Sequence, residues 1–456
     1  MAPTRFGTDG VRGVANEELT PELALALGRA AARVLPAPAF VVGRDTRRSG
    51  PLLQAAFSAG LAAEGADVVD LGVLPTPGVA AVAEARHVPG AVISASHNPF
   101  GDNGIKLFSL HGTKLPTDVE SEIEHELDSI LADPDRPPRR PTGHGVGRIS
   151  AEPEAVELYE AHLVQTLEGR RLDGLRIVVD CANGAASAIA PRVLADLGAQ
   201  ITALQNTPDG ANINDKCGST DPGELARTVV AHGADLGLAF DGDADRVIAV
   251  DHDGTIVDGD VLLALFTLDL AERGELARNT VAVTVMTNLG FRLAMEARGI
   301  GVCETDVGDR HVLAALDADG LSLGGEQSGH IIFRSRSTTG DGILTGIALA
   351  DLVLRAGRSL AELSAGLVER VPQRLVNVPI PQPERLADSA EVWEAVVKAE
   401  AELGHEGRVL LRPSGTEPLV RVMVEARVEA QANAVAAQLA GVVKAALGQI
   451  EPQAPR

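Results

Sequence analysis

Two serines end an apolar run in "GAVISASHNPFGDNGIK", Gly90 to Lys106, and they pose the first chemical question. Ala91, Val92 and Ile93 read as a strand, and ligands of α/β proteins sit at the carboxyl ends of strands, where Ser94 and Ser96 stand. Pro99 constrains the turn, while Gly101 and Gly104 let backbone come close to a ligand. A serine hydroxyl is a weak nucleophile without a base or a metal. Alone, the loop reads equally as a polar turn or as a catalyst, and its two serines cannot be told apart.

A second stretch could supply the metal. In "LGLAFDGDADRVIAVD", Asp241, Asp243 and Asp245 alternate after an apolar strand, so three carboxylates can converge on one hard cation. The EF-hand pattern fails, because Arg246 and His252 stand where that loop needs glycine and glutamate. Few carboxylates on a strand–turn–strand suit Mg²⁺, and an Asp/Gly hairpin turn is the plain alternative. In "LGGEQSGHIIF", Glu326, Gln327, Ser328 and His330 lie between glycines and could meet sugar hydroxyls or an amine. In "LLRPSGTEPLVRVMVE", Arg412, Ser414, Gly415 and Thr416 surround one turn, with Arg421 on the next strand. Guanidinium groups and free backbone N–H groups there would cradle a phosphate. No G-x-x-x-x-G-K-[ST] phosphate loop occurs.

These loops need a scaffold, and the order strand, polar turn, helix, glycine, strand recurs three times: Ala39 to Gly72, Leu175 to Leu204 and Thr280 to Gly308. Such units imply parallel strands joined by right-handed crossovers. Glycines 65, 198 and 299 suit left-handed helix ends. Thr20-Pro21 and Asp221-Pro222 each read as an N-cap followed by an N1 proline. "DPDRPPRRPTGHGVG", Asp133 to Gly147, reads as a linker, with further boundaries near 251–260 and 371–386. The fold expected is three related α/β domains with mixed, mostly parallel sheets (1–148, 149–253, 254–370), plus a C-terminal α+β domain (371–456), around a central cleft. Each domain then contributes one of the four loops.

Composition narrows the partners. A chain of 456 residues exceeds one ordinary core. With only 2% aromatic residues its cores must be built from Ala, Val, Leu and Ile. A formal net charge of -23 argues against a nucleic-acid or anionic-membrane surface. Cys181, Cys217 and Cys303 form no pairing or zinc pattern. The opening "MAPTRFGTDGVRG" has no apolar signal core, and no apolar run nears the ~18 residues of a membrane span. A cytoplasmic protein is expected.

"SASHNP", "DGDADR" and "RPSGTEP", in this order, resemble the α-D-phosphohexomutases, and "FGTDGVRG" and "GGEQSGH" resemble their glucosamine branch. The resemblance covers nearly the whole chain and implies a four-domain mutase that carries a phosphoryl group on Ser96, leaving Ser94 to support the turn. It implies Mg²⁺ ligation by Asp241, Asp243, Asp245 and the phosphoserine-96 oxygen, with Lys106, Arg12, His97 and His330 at the catalytic centre. Glu326 and Ser328 match sugar ligands, and Arg412, Ser414, Gly415, Thr416 and Arg421 match the site for the phosphate that is not reacting. The expected reaction interconverts glucosamine 6-phosphate and glucosamine 1-phosphate, after a hexose 1,6-bisphosphate or autophosphorylation has primed Ser96. A glucose or mannose phosphate mutase of the same mechanism is the near alternative, and a non-catalytic phosphosugar-binding protein the distant one. The expected partner is a phosphosugar, with a homodimer as one open assembly.

Overall fold

The structure, a computed structural model, describes residues 6–7, 10–133, 140–414 and 418–448. It divides into two compact units, residues 1–284 with 303–365 and residues 285–302 with 366–456.

The first unit holds three mixed sheets. In the first, the strand order is Phe6–Gly7, Gly10–Val14, Asp102–Phe108, Gly90–Ile93, Ala39–Arg44, Asp67–Val73, Ile149–Ala151. Ala39–Arg44 pairs in parallel with Asp67–Val73 and with Gly90–Ile93, whereas Asp102–Phe108 runs antiparallel to Gly90–Ile93. The second sheet orders Ile256–Val257, Val247–Asp251, Leu236–Phe240, Arg176–Asp180, Gln200–Leu204. The third contains Thr280–Thr284, Leu323–Gly325 and Ile331–Phe333, edged by the strand Gly301–Thr305, whose residues 303–305 belong to this unit.

One plan recurs in all three. Counted together with the strand and hairpin that follow it, each repeat ends on a parallel strand that turns back through an antiparallel partner, in register Ile93↔Ile105, Phe240↔Val247 and Gly325↔Ile331. The serine loop, the aspartate loop and the Glu326–His330 loop are therefore the same hairpin connection in three successive sheets.

The low aromatic content is met by close packing of small residues. Helix Pro21–Val34, capped by Thr20 Oγ1 accepting from Leu23 N–H (3.2 Å), lies against helix Gly50–Ala63. A Cβ on Gly28 would stand 2.2 Å from Phe57 O, so only glycine permits this crossing. Helix Gly223–His232 ends at left-handed Gly233, but its N-cap is Pro222 rather than the expected Asp221, and no side chain caps it. Asp221 closes the preceding 3-10 turn instead. Two strands also run past the expected boundaries at 148 and 253. Ile149–Ala151 extends the first sheet beside Asp67–Val73, and Ile256–Val257 extends the second beside Val247–Asp251. Edge-strand pairing, which composition does not reveal, joins them to the earlier sheets.

The second unit is an antiparallel sheet ordered Gln373–Pro379, Leu419–Ala426, Gly407–Pro413, with helices Ala390–Leu403 and Glu429–Leu447. Val378, Val392, Val422, Ala436 and Leu439 are among its core. Helix Leu289–Glu296 belongs to the same unit. Asn288 binds both the N–H and the carbonyl of Val371 (2.9 Å each), and buried Glu425 accepts from Asn288 Nδ2 at 3.0 Å. No described helix is long and apolar enough to cross a membrane.

Candidate active site

Ser96 is fully buried and holds a left-handed backbone, φ +51°, which is uncommon for a residue with a Cβ and persists only where the surroundings enforce it. Ser94 Oγ donates to Asp45 Oδ2 (2.6 Å) and accepts the Ser96 N–H (3.0 Å). Asp45 in turn pairs with Arg47 Nε at 2.9 Å, and both side chains are completely buried. The Arg47 guanidinium goes on to donate to the carbonyls of Ser96 (2.9 Å), Asn98 (2.8 Å) and Asp102 (3.1 Å), and to that of Pro99. Ser94 thus supports the turn, while Ser96 Oγ points elsewhere: it donates to Asp241 Oδ2 at 2.6 Å.

Asp241, Asp243 and Asp245 are all buried, and one carboxylate oxygen from each lies within 4.8 Å of the others. Thr76 Oγ1 donates to Asp243 Oδ2 (2.6 Å), and Lys106 Nζ stands 3.2 Å from Asp243 and 3.5 Å from Asp245. Asp243 Oδ1 and Asp245 Oδ1 are buried yet take no hydrogen bond from the described residues. Burial, then the charges of Asp245 and Asp243, pushes Asp241 well above the usual carboxylate range. Burial acts on Asp245 too, but Lys106, His330 and Arg246 outweigh it and hold that carboxyl well below the range. Uncompensated buried carboxylate oxygens are costly. Hard donors at this spacing, with orphaned oxygens, fit a small divalent cation.

Around this cluster stand two imidazoles. His97 Nδ1 lies 3.4 Å from Ser96 Oγ and takes a hydrogen bond from Arg246 Nη1 at 3.0 Å. Burial, then the Arg246 and Arg12 guanidinium charges, pushes its pKa down to about 4, so the ring is neutral at pH 7 with its proton on Nε2. Arg12 reaches this region from strand Gly10–Val14, opposite Gly104. His330 Nδ1 is 3.6 Å from Asp245 Oδ2, and its Nε2 accepts the Gly340 N–H at 3.1 Å. Burial opposes the charged ring, but the hydrogen bond and charge of Asp245, with Asp309 and Glu326, raise its pKa overall. Glu326 Oε1 accepts the Gly308 N–H (3.0 Å), and Ser328 Oγ lies 3.5 Å from Glu326 Oε2.

The first unit therefore gathers Ser96, His97, Lys106, Arg246, the three aspartates and His330, with Glu326 and Ser328 on the His330 hairpin. In the second unit Arg412 and Arg421 are directly opposed across paired strands. Like charges so placed repel, and burial followed by Arg421 lowers the Arg412 pKa. Ser414 N–H donates to Leu419 O at the same turn (2.9 Å). Gly415 and Thr416 lie outside the described residues.

Sequence reading missed Asp45, Arg47, Thr76 and Asn214. Asn214 Nδ2, from the second repeat, donates to the carbonyls of Ser96 (2.9 Å) and Asn98 (3.1 Å). The charged triplet of "GRDTR", at the carboxyl end of strand Ala39–Arg44, was an available signal for Asp45 and Arg47. Thr76 and Asn214 carried none, since their partners lie 167 and 118 positions away.

Four models described as phosphoglucomutase/phosphomannomutase match the chain in order: α/β/α domain I over residues 3–133, domain II over 157–254, domain III over 258–371 and the C-terminal domain over 375–442. The chain belongs to the phosphoglucomutase/phosphomannomutase family. Membership makes it a mutase enzyme and bears out the α/β class with a separate C-terminal α+β domain. Within this family, it is 53% identical over 452 residues to the phosphoglucosamine mutase of Kineococcus radiotolerans, covering 96% of this chain and 98% of that one. It is 54% identical over 455 residues to the phosphoglucosamine mutase of Frankia casuarinae, covering 97% and 98%. Among solved structures, a phosphoglucomutase/phosphomannomutase family protein from Burkholderia thailandensis superposes with a TM-score of 0.82, at 27% identity over 98% of both chains.

Proposed function

We propose that the chain interconverts glucosamine 6-phosphate and glucosamine 1-phosphate, with Ser96 as the phosphoryl carrier. The single observation that carries this reading is Ser96 Oγ at 2.6 Å from Asp241 Oδ2, inside a buried cluster of three carboxylates. The names of the relatives support the amino sugar as substrate.

In the forward direction the C1 hydroxyl of glucosamine 6-phosphate attacks the phosphorus on Ser96. The bond to Ser96 Oγ breaks, the hydroxyl's proton passes to Oγ as the serine hydroxyl is regenerated, and a 1,6-bisphosphate forms. The bisphosphate turns end for end, and Ser96 Oγ takes the 6-phosphoryl. Such transfers offer the protein little covalent chemistry, so positioning and charge dominate. Asp241, Asp243 and Asp245 would hold Mg²⁺, which when bound supplies positive charge to the phosphoryl oxygens. Lys106, beside two of these carboxylates, is assigned to steady the transferring group and assist proton transfer. His97, neutral and held by Arg246, offers Nε2–H as a donor. Glu326 and Ser328 are assigned to the sugar, and the opposed Arg412 and Arg421 to the phosphate that is not reacting. A hexose 1,6-bisphosphate or autophosphorylation would prime Ser96, and the enzyme is proposed to be cytoplasmic.

The test compares rates on glucosamine 1-phosphate, glucose 1-phosphate and mannose 1-phosphate, with and without Mg²⁺ and a hexose 1,6-bisphosphate. The amino sugar should lead. Ser96→Ala should lose turnover by at least ~10⁴-fold and take up no covalent phosphate, while Ser94→Ala keeps the label. A Ser96→Ala protein with parent turnover sinks the mechanism, and a glucose or mannose phosphate preference reassigns the substrate.

A further inference from the structure

The loop that carries Ser96 is held from two sides. From its own repeat, buried Arg47 donates to the carbonyls of Ser96 and Asn98 at 2.9 and 2.8 Å. From the second repeat, Asn214 Nδ2 donates to the same two carbonyls at 2.9 and 3.1 Å. Each oxygen therefore receives two donors, one per repeat, and both lone pairs are used. The approach is tight, because a Cβ on Gly242 would lie 2.6 Å from Ser96 O and 2.9 Å from Asn214 Nδ2.

Asn214 is itself anchored. Its backbone is left-handed, φ +57°, and its N–H donates to Ala182 O at 2.9 Å. The same segment docks on the first repeat elsewhere, through Arg48 N–H to Gly210 O at 2.9 Å. Neighbouring Thr46 Oγ1 donates to Asn183 O at 2.6 Å. A positive φ at buried Ser96 is a strained conformation that persists only where the surrounding structure over-determines it. The paired donors on its carbonyl do that, and they fix the direction in which the Ser96 side chain leaves the backbone.

We infer that Asn214 is a positioning residue: by gripping the Ser96 and Asn98 carbonyls from the second repeat, it locks Ser96 in the conformation that aims Oγ at Asp241. The kinetic consequence rests on Ser96 being the phosphoryl carrier, whereas the conformational one does not. Docking of the second repeat thus completes the carrier loop as well as delivering the aspartates.

Two variants of the full-length protein test this. Asn214→Gly deletes the donor and retains a residue at ease with positive φ, and Asn214→Asp keeps the shape but presents only acceptors. In both, amide hydrogen exchange over residues 94–99 should quicken by about tenfold or more, with the flanking strands unchanged. With glucosamine 1-phosphate, kcat should fall ~10- to 100-fold while KM stays within about twofold, as expected for misplaced reacting atoms. Parent-like exchange in both variants overturns the proposal, as does quickened exchange with parent kcat. A parent protein without mutase turnover would sink the functional reading alone, and the exchange measurement would still decide the grip on Ser96.

Discussion

The serine hairpin and the aspartate hairpin occupy the same place in two successive sheets, yet they use their polar groups in opposite ways. In the first, the carbonyls of Ser96, Asn98, Pro99 and Asp102 all receive the Arg47 guanidinium. In the second, Asp243 Oδ1 and Asp245 Oδ1 are buried with no hydrogen bond from the described residues. A saturated loop is a rigid holder. An unsaturated buried carboxylate cluster is a receptor, because the cost of its orphaned oxygens is relieved only when a cation arrives. One scaffold position thus serves two purposes, and the difference lies in where the hydrogen bonds run out.

The largest expected effect tests the receptor side. Asp243→Asn should cut turnover by more than ~10²-fold and abolish the rise in melting temperature that Mg²⁺ gives the parent, a rise equivalent to about 2.7 kcal/mol at 100 times the dissociation constant. An undiminished Mg²⁺ response in this variant would break the comparison.

A buried carboxylate with a full complement of donors makes the intermediate case. Asp341 caps helix Gly342–Ala356 through the Leu344 N–H (2.9 Å) and takes Tyr159 Oη on both oxygens (3.0 Å each), yet burial pushes its pKa up to about 7. Its folded pKa lies above the unfolded one. Its contribution to stability is therefore complete below about pH 4 and is lost as pH rises through about 7. Asp341→Asn removes that loss, so denaturation at pH 4.5, 6 and 8 should show the variant gaining on the parent as pH rises, by an amount of the order of a few kcal/mol. A constant difference between the two would show that burial of the charge is compensated.

The smallest effect tests the holder side. Ser94→Ala removes the bond to Asp45 and the acceptor for the Ser96 N–H, which should cost about 1–3 kcal/mol in stability. The Mg²⁺ response should survive intact, and kcat should fall less than tenfold. Loss of the Mg²⁺ response would mean that the two hairpins are not separable.

How much of this was legible depends on how far each partner lies along the chain. The aspartate triplet is written at alternate positions of one strand end, and periodicity alone sets Asp241, Asp243 and Asp245 together. The two serines could not be separated locally. Their partners decide between them: Ser94 faces Asp45, 49 positions earlier, and Ser96 faces Asp241, 145 positions later. The Asp221 cap was misread for a related reason, since a short 3-10 turn claimed the residue before the helix began. The expected boundaries at 148 and 253 passed over the strands Ile149–Ala151 and Ile256–Val257, whose pairing with earlier sheets is long-range in one case and a hairpin in the other.

By itself the sequence determined the elements and the chemistry on offer. β-branched runs, Ala/Leu-rich helices and glycine stops define the repeated unit, and the motifs name a serine, a carboxylate set and two arginines. Those properties live in residue type and short-range spacing, where sterics and propensity act. The motif resemblance already chose Ser96; only the tertiary structure decided that the three loops are one hairpin repeated, that Ser96 Oγ meets Asp241 while Ser94 Oγ meets Asp45, and that Arg47 and Asn214 hold the loop there. The physical reason is that a hydrogen bond is satisfied by whichever group packing brings within about 3 Å. Which group that is depends on how the sheets dock, and no local pattern along the chain records it.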